Sequence, residues 1–390
     1  MSRRAWVIAA ACLALTARAD PAPEVPAAAV VGDLPFLEHP ELNRIYLNLA
    51  PEGARPFRLL LDTGAEDSVL TPLYARELGV TVRRARDTEN RRETVLGRDL
   101  EFWIDTQSSE SGSRTGWEYG LLGGKFLSQY VVELDFQKRH VRFLDPDKYQ
   151  VPASVDDPNE AVIGLRVAGN RPFADIGVDG KPVNVLFDTG APGSLLLSGS
   201  SARKAGFDKP HLATLNMGGV LGKIESYLVE ADELTVGPFR FAPAPIVFAP
   251  HGAYNQGGNT DSALGYEVLT HFLVRLDYAR NRMWLRRTDA EPLAWFGTPW
   301  AAARRAGLLA RVGDGGIDVQ GVLPDSPAAK LGVEPGDEIE FHNDKPRDRA
   351  LEDVIAGIER GDSLVVLRGE QEQRSQVKLE GTGTKPASTP

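Results

Sequence analysis

The amino-acid sequence predicts a mainly β protein in which two copies of one strand-rich lobe precede a small α+β domain. Three observations support this prediction: a hairpin pattern ending in Asp-Thr-Gly occurs twice, a pattern of closing strands occurs twice, and the composition changes after residue 288. The 390 residues, 25% charged and 42% hydrophobic, fit two or three globular domains. The single cysteine excludes a disulfide scaffold. The formal net charge of −10 argues against nucleic acid as a partner.

Residues 1–19 are predicted to be a signal peptide. Two arginines precede an apolar run from Ala5 to Leu15, and a small-x-small cleavage site follows at residues 17–19. A transmembrane helix needs about twenty apolar residues, so no stable membrane span is expected. Because residues 1–19 contain three arginines and no acidic residue, cleavage would change the net charge from −10 to −13.

Cys12 lies inside this apolar run, which leaves open a lipoprotein attached through Cys12. The alanines before it and the apolar residues after it favour soluble export, to a periplasm or out of the cell. Residues 20–30, rich in Pro and Ala, are predicted to be a tether.

The first lobe is predicted over residues 31–150 and the second over residues 155–288. Each begins with a hairpin whose second strand runs into Asp-Thr-Gly-Ala, at residues 57–65 and 183–191. Each then has a short strand and a short helical piece. The second half of each copy has an apolar-apolar-Gly motif, at residues 121–123 and 263–265, and a closing hairpin. Asp135 and Asp277 match within those hairpins, where Asp is an ordinary turn former.

These two motifs resemble those of the retropepsin-like aspartic proteases. The resemblance implies two acid-protease β-barrel lobes that each supply one catalytic aspartate, Asp62 and Asp188. It also implies that Thr63, Gly64, Thr189 and Gly190 support this dyad. A single Asp-Thr-Gly is often only a turn, but two in matched contexts favour the dyad.

The chemistry explains why two copies are needed. Two carboxyl groups a few ångströms apart cannot both ionise, so they share one proton. The charged one activates a water, and the protonated one donates to the scissile carbonyl. The pair titrates as a unit, so neither aspartate is assigned as the acid. No cofactor is expected.

A retropepsin-like enzyme covers its substrate with a hairpin flap. In the second lobe the glycine-rich residues 218–222, followed by a strand at residues 225–229, predict a flap tip. In the first lobe residues 95–97 are a possible tip, and residues 108–116 are polar without a pattern.

Rival chemistries have little support. The histidines are scattered without metal-ligand spacing, so no metal site is expected. They are His39, His140, His211, His251, His271 and His342. No G-x-S-x-G or phosphate-binding loop is present. An arginine-rich run at residues 83–92 is interpreted as a solvated face, with a docking patch for acidic substrates as the alternative.

The C-terminal part is predicted to contain a packed linker (289–300), an α+β domain (301–380) and a disordered tail (381–390). Residues 322–329, with Ser-Pro at a helix start, and Gly336-Asp337 resemble a PDZ domain of the bacterial protease type. Such domains bind an extended peptide as an added strand. The resemblance makes Gly307, Leu308 and Leu309 the loop that receives the peptide's carboxylate. The alternative is a packing module that steadies the lobes.

The sequence therefore favours an exported aspartic endopeptidase that acts on protein or peptide substrates, with a PDZ domain that binds a peptide of the substrate or of a partner. One alternative is a non-catalytic peptide-binding scaffold with a retropepsin-like groove. Another is that the lobes pair between chains.

Overall fold

A computed structural model describes residues 24–38, 43–49, 57–72, 75, 91–104, 120–219, 222–250, 255–256, 259–260, 262–288, 292–295, 298–312, 316–340, 347–369 and 375–381. The predicted signal peptide lies outside these residues. The chain is mainly β, as the sequence predicts. In the described residues no helix is long and apolar enough to cross a membrane.

The first lobe consists of nine described strands and one short helix. They are β1 (Val30–Glu38), β2 (Ile45–Leu49), β3 (Phe57–Leu61), β4 (Ser68–Leu70), β5 (Arg91–Val95), β6 (Arg98–Ile104), β7 (Gly120–Leu122), α1 (Gly124–Leu127), β8 (Val131–Asp135) and β9 (His140–Leu144).

The second lobe repeats this order with additional strands. Its elements are β10 (Glu160–Gly164), β11 (Arg166–Ala168), β12 (Arg171–Val178), β13 (Lys181–Phe187), β14 (Leu195–Ser198), α2 (Gly199–Ala205), β15 (Ala213–Gly219), β16 (Gly222–Ala231), β17 (Leu234–Val236), β18 (Phe239–Phe241), β19 (Ala244–Ala249), β20 (Asn255–Gln256), β21 (Asn259–Thr260), β22 (Ser262–Leu264), α3 (Tyr266–Leu269), β23 (Phe272–Asp277) and β24 (Arg282–Arg287).

The same strand pairing recurs in both lobes. In the first, β3 pairs in parallel with β7, and β4 pairs with β7 and in parallel with β6. In the second, β13 and β14 both pair with β22, and β14 pairs in parallel with β19. The turn between β12 and β13 has positive φ at Asp179 (48°) and Gly180 (72°), as a two-residue type I′ hairpin requires. The internal repeat predicted from sequence is thus a repeat of topology.

The lobes are open sheets rather than the β-barrels that the sequence predicts. The larger sheet has the order β10-β24-β23-β8-β9-β1-β2-β3-β7-β4-β6-β5, and the other large sheet has the order β15-β16-β19-β14-β22-β13-β12-β17-β18. In both, the two outermost described strands do not pair with each other, so neither sheet closes. The larger sheet crosses from one lobe to the other through the antiparallel pair β8–β23.

Asp135 and Asp277 are turn residues, as predicted. The Asp135 carboxylate accepts the Lys138 backbone N–H at 2.9 Å, and the Asp277 carboxylate accepts the Arg280 backbone N–H at 3.2 Å. Each is the last residue of its strand and begins the turn of the closing hairpin β8–β9 or β23–β24.

The predicted flap tip at residues 95–97 is wrong for the first lobe. The β5–β6 turn leads into the strand that pairs in parallel with β4. In the second lobe the equivalent of the β5–β6 turn is the connection between β16 and β19, which is not the predicted flap. Leu96 also packs against Gly32 of β1, and the Tyr130 hydroxyl donates to the Leu96 carbonyl at 3.3 Å. Residues 108–116 lie outside the described residues.

Residues 24–30 of the predicted tether include side chains that pack on the first lobe. Residues 27–29 form a 3₁₀ turn, Ala29 is fully buried, and Val25 packs against the same cluster as Trp284. The ordered body of the protein therefore begins within the segment predicted as a tether.

The C-terminal domain has a five-stranded antiparallel sheet in the order β27-β28-β29-β30-β31. Its elements, including those of the linker, are β25 (Ala294–Trp295), β26 (Thr298–Pro299), α4 (Trp300–Ala306), β27 (Leu308–Val312), β28 (Gly316–Val322), α5 (Pro327–Leu331), β29 (Glu338–Glu340), α6 (Arg347–Arg360), β30 (Leu364–Arg368) and β31 (Ser375–Leu379). Ser326 caps α5 by accepting the Ala329 N–H at 3.2 Å, which confirms the predicted Ser-Pro helix start.

Gly307, Leu308 and Leu309, which the sequence predicts as the carboxylate loop, lie where α4 ends and the edge strand β27 begins. Gly307 is the left-handed C-cap of α4 (φ 72°), and its N–H donates to the Ala303 carbonyl at 2.9 Å. Leu308 and Leu309 are fully buried in β27 and pair with β28. Most of the predicted tail, residues 382–390, lies outside the described residues.

Candidate active site

The two Asp-Thr-Gly loops begin where β3 and β13 end. The Asp62 N–H donates to the Leu122 carbonyl at 3.1 Å, and the Asp188 N–H donates to the Leu264 carbonyl at 3.0 Å. The apolar-apolar-Gly motifs thus fix the aspartate backbones. A Cβ on the glycine of either motif, Gly123 or Gly265, would collide with a carbonyl oxygen of the preceding loop, which explains the requirement for glycine.

Thr63 and Thr189 hold the loops of the two lobes together by four reciprocal hydrogen bonds. The backbone N–H of each threonine donates to the hydroxyl oxygen of the other at 3.1 Å. The Thr63 hydroxyl donates to the Phe187 carbonyl, and the Thr189 hydroxyl to the Leu61 carbonyl, both at 2.6 Å. Both threonines are buried, so the two aspartates are fixed relative to each other.

The two carboxyl groups face each other across this junction within hydrogen-bonding reach. Asp62 Oδ1 accepts the Gly64 and Ala65 N–H groups at 2.9 and 3.0 Å, and Asp188 Oδ1 accepts the Gly190 N–H at 2.8 Å. Burial, and next the charge of Asp188, raise the pKa of Asp62 well above that of an ordinary Asp. The pair therefore retains a proton where isolated carboxyls would lose theirs.

Gly64 and Gly190 let each carboxyl group lie against the loop of the opposite lobe. A Cβ on Gly190 would be 2.8 Å from the Asp62 carboxyl carbon, and a Cβ on Gly64 would be closer still to Asp188. Any larger residue would push a carboxyl group away.

Arg44 and Asn43 are site residues that the sequence analysis missed. The Arg44 Nε donates to the Gly190 carbonyl at 3.2 Å, and its charge partly offsets the upward shift of the Asp62 pKa. The Asn43 amide donates to Glu267 at 2.5 Å. Both copies contain Asn-Arg-x-aromatic where the first hairpin strand begins, at residues 43–46 and 170–173, and both asparagines have positive φ. This repeated motif could have identified Asn43 and Arg44 as site residues from the sequence.

The hairpin that the sequence predicts as the second-lobe flap is present, and the name flap is kept for it. Strands β15 and β16 form a regular hairpin that pairs Gly219 with Gly222, and residues 220–221 at the tip lie outside the described residues. The root of the hairpin packs on the C-terminal domain through one apolar cluster, whose fully buried members are Leu215, Leu228, Val247, Trp295, Trp300, Ala303, Leu309 and Leu323.

The described histidines occupy separate places. His140 contacts Asp33 at 2.7 Å, the His211 ring stacks on Tyr227, and the His271 ring lies against Phe241. No group of three or more potential metal ligands occurs among the described residues. His39, His251, His342 and the arginine-rich run up to Asn90 lie outside them.

Several solved structures are similar to parts of this chain. A retropepsin-like aspartic protease from Rickettsia conorii is 20% identical over 33% of this chain and 90% of its own, with a TM-score of 0.25. The EIAV protease complexed with the inhibitor HBY-793 is 20% identical over 25% and 85%, with a TM-score of 0.21. Basic 7S globulin from soybean is 13% identical over 65% and 94%, with a TM-score of 0.35.

No curated protein matches the chain. A family model described as aspartyl protease matches residues 174–268. This range begins in β12 and ends in α3, and it includes Asp188-Thr189-Gly190, the flap hairpin and the Ala-Leu-Gly motif. The second lobe is therefore similar in sequence to the aspartyl proteases, in agreement with the resemblance indicated by its motifs.

Proposed function

We propose that this chain is an aspartic endopeptidase in which Asp62 and Asp188 activate one water molecule. The observation that carries the proposal is the reciprocal Thr63–Thr189 junction, which fixes two carboxyl groups from different lobes within hydrogen-bonding reach. The aspartyl protease match over residues 174–268 supports it independently for the second lobe.

The reaction needs one proton shared by the pair. The charged carboxylate takes a proton from the water as the water oxygen attacks the peptide carbonyl carbon. The protonated carboxyl group meanwhile donates its proton to the carbonyl oxygen. The resulting tetrahedral diol collapses when the carboxyl group that holds the proton donates it to the amide nitrogen, the other carboxylate takes a proton from a diol hydroxyl, and the C–N bond breaks. The pair ends with one proton, so it is ready for another cycle.

The upward shift of the Asp62 pKa supports this assignment, because it keeps the singly protonated pair over a wider pH range. Activity is expected to fall at high pH as the shared proton is lost. It is also expected to fall at low pH as both carboxyl groups become protonated, which gives a bell-shaped profile.

The substrates we propose are extended peptides or exposed protein segments, covered by the β15–β16 hairpin. Export of the enzyme, and of its substrates, is the corollary of the signal peptide predicted at residues 1–19. For the C-terminal domain, the apolar cluster at the root of the flap favours the role of a module that steadies the second lobe. A PDZ-type peptide site at Gly307, Leu308 and Leu309 stays a prediction.

A non-catalytic scaffold has less support. Such a protein has no need to hold two carboxyl groups in contact, since burial and mutual repulsion of the charged forms make that arrangement costly.

The test is digestion of a peptide library by the purified protein, with products identified by mass spectrometry. Asp62→Asn and Asp188→Asn should each lower cleavage by about 10²–10⁴-fold, the typical contribution of acid–base catalysis. Asp135→Asn is the matched control, since its side chain caps a turn and an Asn can do the same. Cleavage that both dyad variants retain would contradict the proposal.

A further inference from the structure

The lobes meet at a pair of opposite charges that occupy the same position of the repeat. Strands β8 and β23 are antiparallel, with Glu133 directly opposite Arg275. In the closing part of the repeat, each residue of the first copy corresponds to the residue 142 positions later. Glu133 and Arg275 are therefore equivalent, and the pseudo-twofold axis that relates the two strands passes between them.

The surrounding sequence shows that the change of charge between Glu133 and Arg275 is confined to this position. Residues 130–136 read Tyr-Val-Val-Glu-Leu-Asp-Phe and residues 272–278 read Phe-Leu-Val-Arg-Leu-Asp-Tyr. Apolar positions stay apolar and the aspartate is kept. The central residue alone changes from acidic to basic.

Both charges are buried and each has its own support. The Glu133 and Arg275 side chains are each 2% exposed, and Arg275 Nε contacts Glu133 Oε2 at 2.6 Å. The other oxygen, Oε1, accepts from Arg142 Nε at 2.6 Å. The residue equivalent to Arg142 is Trp284, and the Arg275 guanidinium lies 4.5 Å from its ring centre. The first lobe thus adds a cation beside its Glu, and the second adds an aromatic face beside its Arg.

A symmetric pair of two identical lobes would lose the contact between opposite charges at the axis. Two first lobes would bring two Glu133 Oε2 atoms together with no donor between them, because Arg142 already binds Oε1. Two second lobes would bring two Arg275 guanidinium groups together without the Glu133 carboxylate between them. A buried charge that loses its partner is strongly destabilising.

We propose that the opposite charges of Glu133 and Arg275 determine which lobes pair. A first lobe then binds a second lobe and rejects another first lobe. The inference rests on the proposed function in one respect: it explains why the dyad is assembled from unlike lobes, one Asp-Thr-Gly from each. Discrimination of this kind uses a cost in the wrong pair as well as a contact in the right one.

The test uses two full-length variants, Glu133→Arg and Arg275→Glu, measured alone and in an equimolar mixture. Alone, each variant faces like charges at the axis, so peptidase activity should fall at least tenfold, as expected for a loss of this kind. In the mixture, the first lobe of the Arg275→Glu chain can pair with the second lobe of the Glu133→Arg chain and restore the native contact. Activity should recover to about half that of wild type, in a species of twice the mass.

Two further variants keep the test decisive. The doubly reversed chain, Glu133→Arg with Arg275→Glu, restores an opposite-charge contact at the axis but keeps Arg142 beside residue 133. It should fold as a monomer and recover part of the activity that Glu133→Arg loses, which covers the case that the single variants do not fold. Lys138→Glu is the control, a charge reversal at an 80% exposed side chain in the same hairpin. It should behave as wild type alone and should not complement either single variant.

The proposal is overturned if a single reversed chain remains a monomer with wild-type activity. It is also overturned if the doubly reversed chain is as defective as the Glu133→Arg chain, or if two folded single variants show no heterodimer on mixing. Native mass reports the pairing even if the wild-type protein cleaves no peptide, so failure of this inference and failure of the proposed function are distinguishable.

Discussion

Asp62 and Asp188 have equivalent positions in the repeat but different surroundings. Asp188 is 3% exposed, whereas Asp62 is half-buried. Asp62 Oδ1 accepts two backbone N–H groups, and Arg44 moderates its raised pKa. Because the carboxyl groups titrate as a pair, these differences affect both steps of the titration.

The raised pKa predicts how stability depends on pH. Between the pKa of an unfolded Asp and the raised folded value, the native state binds more protons than the unfolded state. The free energy of unfolding therefore decreases as pH rises through this range, by up to about 1.4 kcal/mol per pH unit for one proton. Asp62→Asn removes the titrating group and should flatten this decrease, as measured by urea unfolding at a series of pH values. Identical slopes in the variant and the wild type would contradict the shift.

Gly64 provides a steric test of the same site. Gly64→Ala places a Cβ against the Asp188 carboxyl group, so the dyad must separate, and a displacement of about 1 Å can cost roughly 10²-fold in kcat. Gly193→Ala is the matched control. Gly193 lies in the loop of the second lobe, three residues after Gly190, and a Cβ there would meet no atom within 4 Å. Kinetics of peptide cleavage should show a loss in kcat for the first variant alone. Equal activities would show that the carboxyl groups tolerate separation.

At the level of elements, hairpins with a local signal were predictable. The Asp179-Gly180 turn and the β15–β16 hairpin follow from turn residues and strand alternation. The role of Gly307 as a helix C-cap was also predictable, because a glycine after Arg304 and Arg305 is a favourable helix end. The β5–β6 turn was misread as a flap tip. A turn that contains glycine has the same local sequence pattern whether it is a flap tip or is packed against neighbouring elements.

The contact between the flap root and the C-terminal domain gives a second testable element. Trp300 is 1% exposed, and its indole N–H donates to Glu230 of β16 at 2.7 Å. Trp300→Ala removes this support, so hydrogen exchange in β15 and β16 should accelerate and KM for peptide should rise more than kcat falls.

Arg304→Ala is the control for this variant. Arg304 also contacts Glu230, at 3.2 Å, but its side chain is 54% exposed, and exposed ion pairs contribute about 0–1 kcal/mol. It should therefore leave exchange nearly unchanged. Unchanged exchange in Trp300→Ala would show that the domain does not steady the flap.

At the level of the whole molecule, the sequence predicted a two-lobed chain with a dyad between the lobes. It did not predict the contacts that make the lobes one body, because Arg44 and Gly190 lie 146 residues apart and Glu133 and Arg275 lie 142 apart. Periodicity and turn signals are local, so they assign strands but not their neighbours across a lobe boundary. The same limit applies to barrel closure, which was inferred from a resemblance and not from the residues.

The central claim is that one chain supplies both aspartates of one catalytic pair. The most direct measurement is peptidase activity of an equimolar, dilute mixture of the Asp62→Asn and Asp188→Asn chains, beside each variant alone. If the dyad forms within a chain, no folded molecule has two native aspartates, and the mixture should be as inactive as its components. Wild-type activity in either variant, or recovery of activity on mixing, would contradict the account.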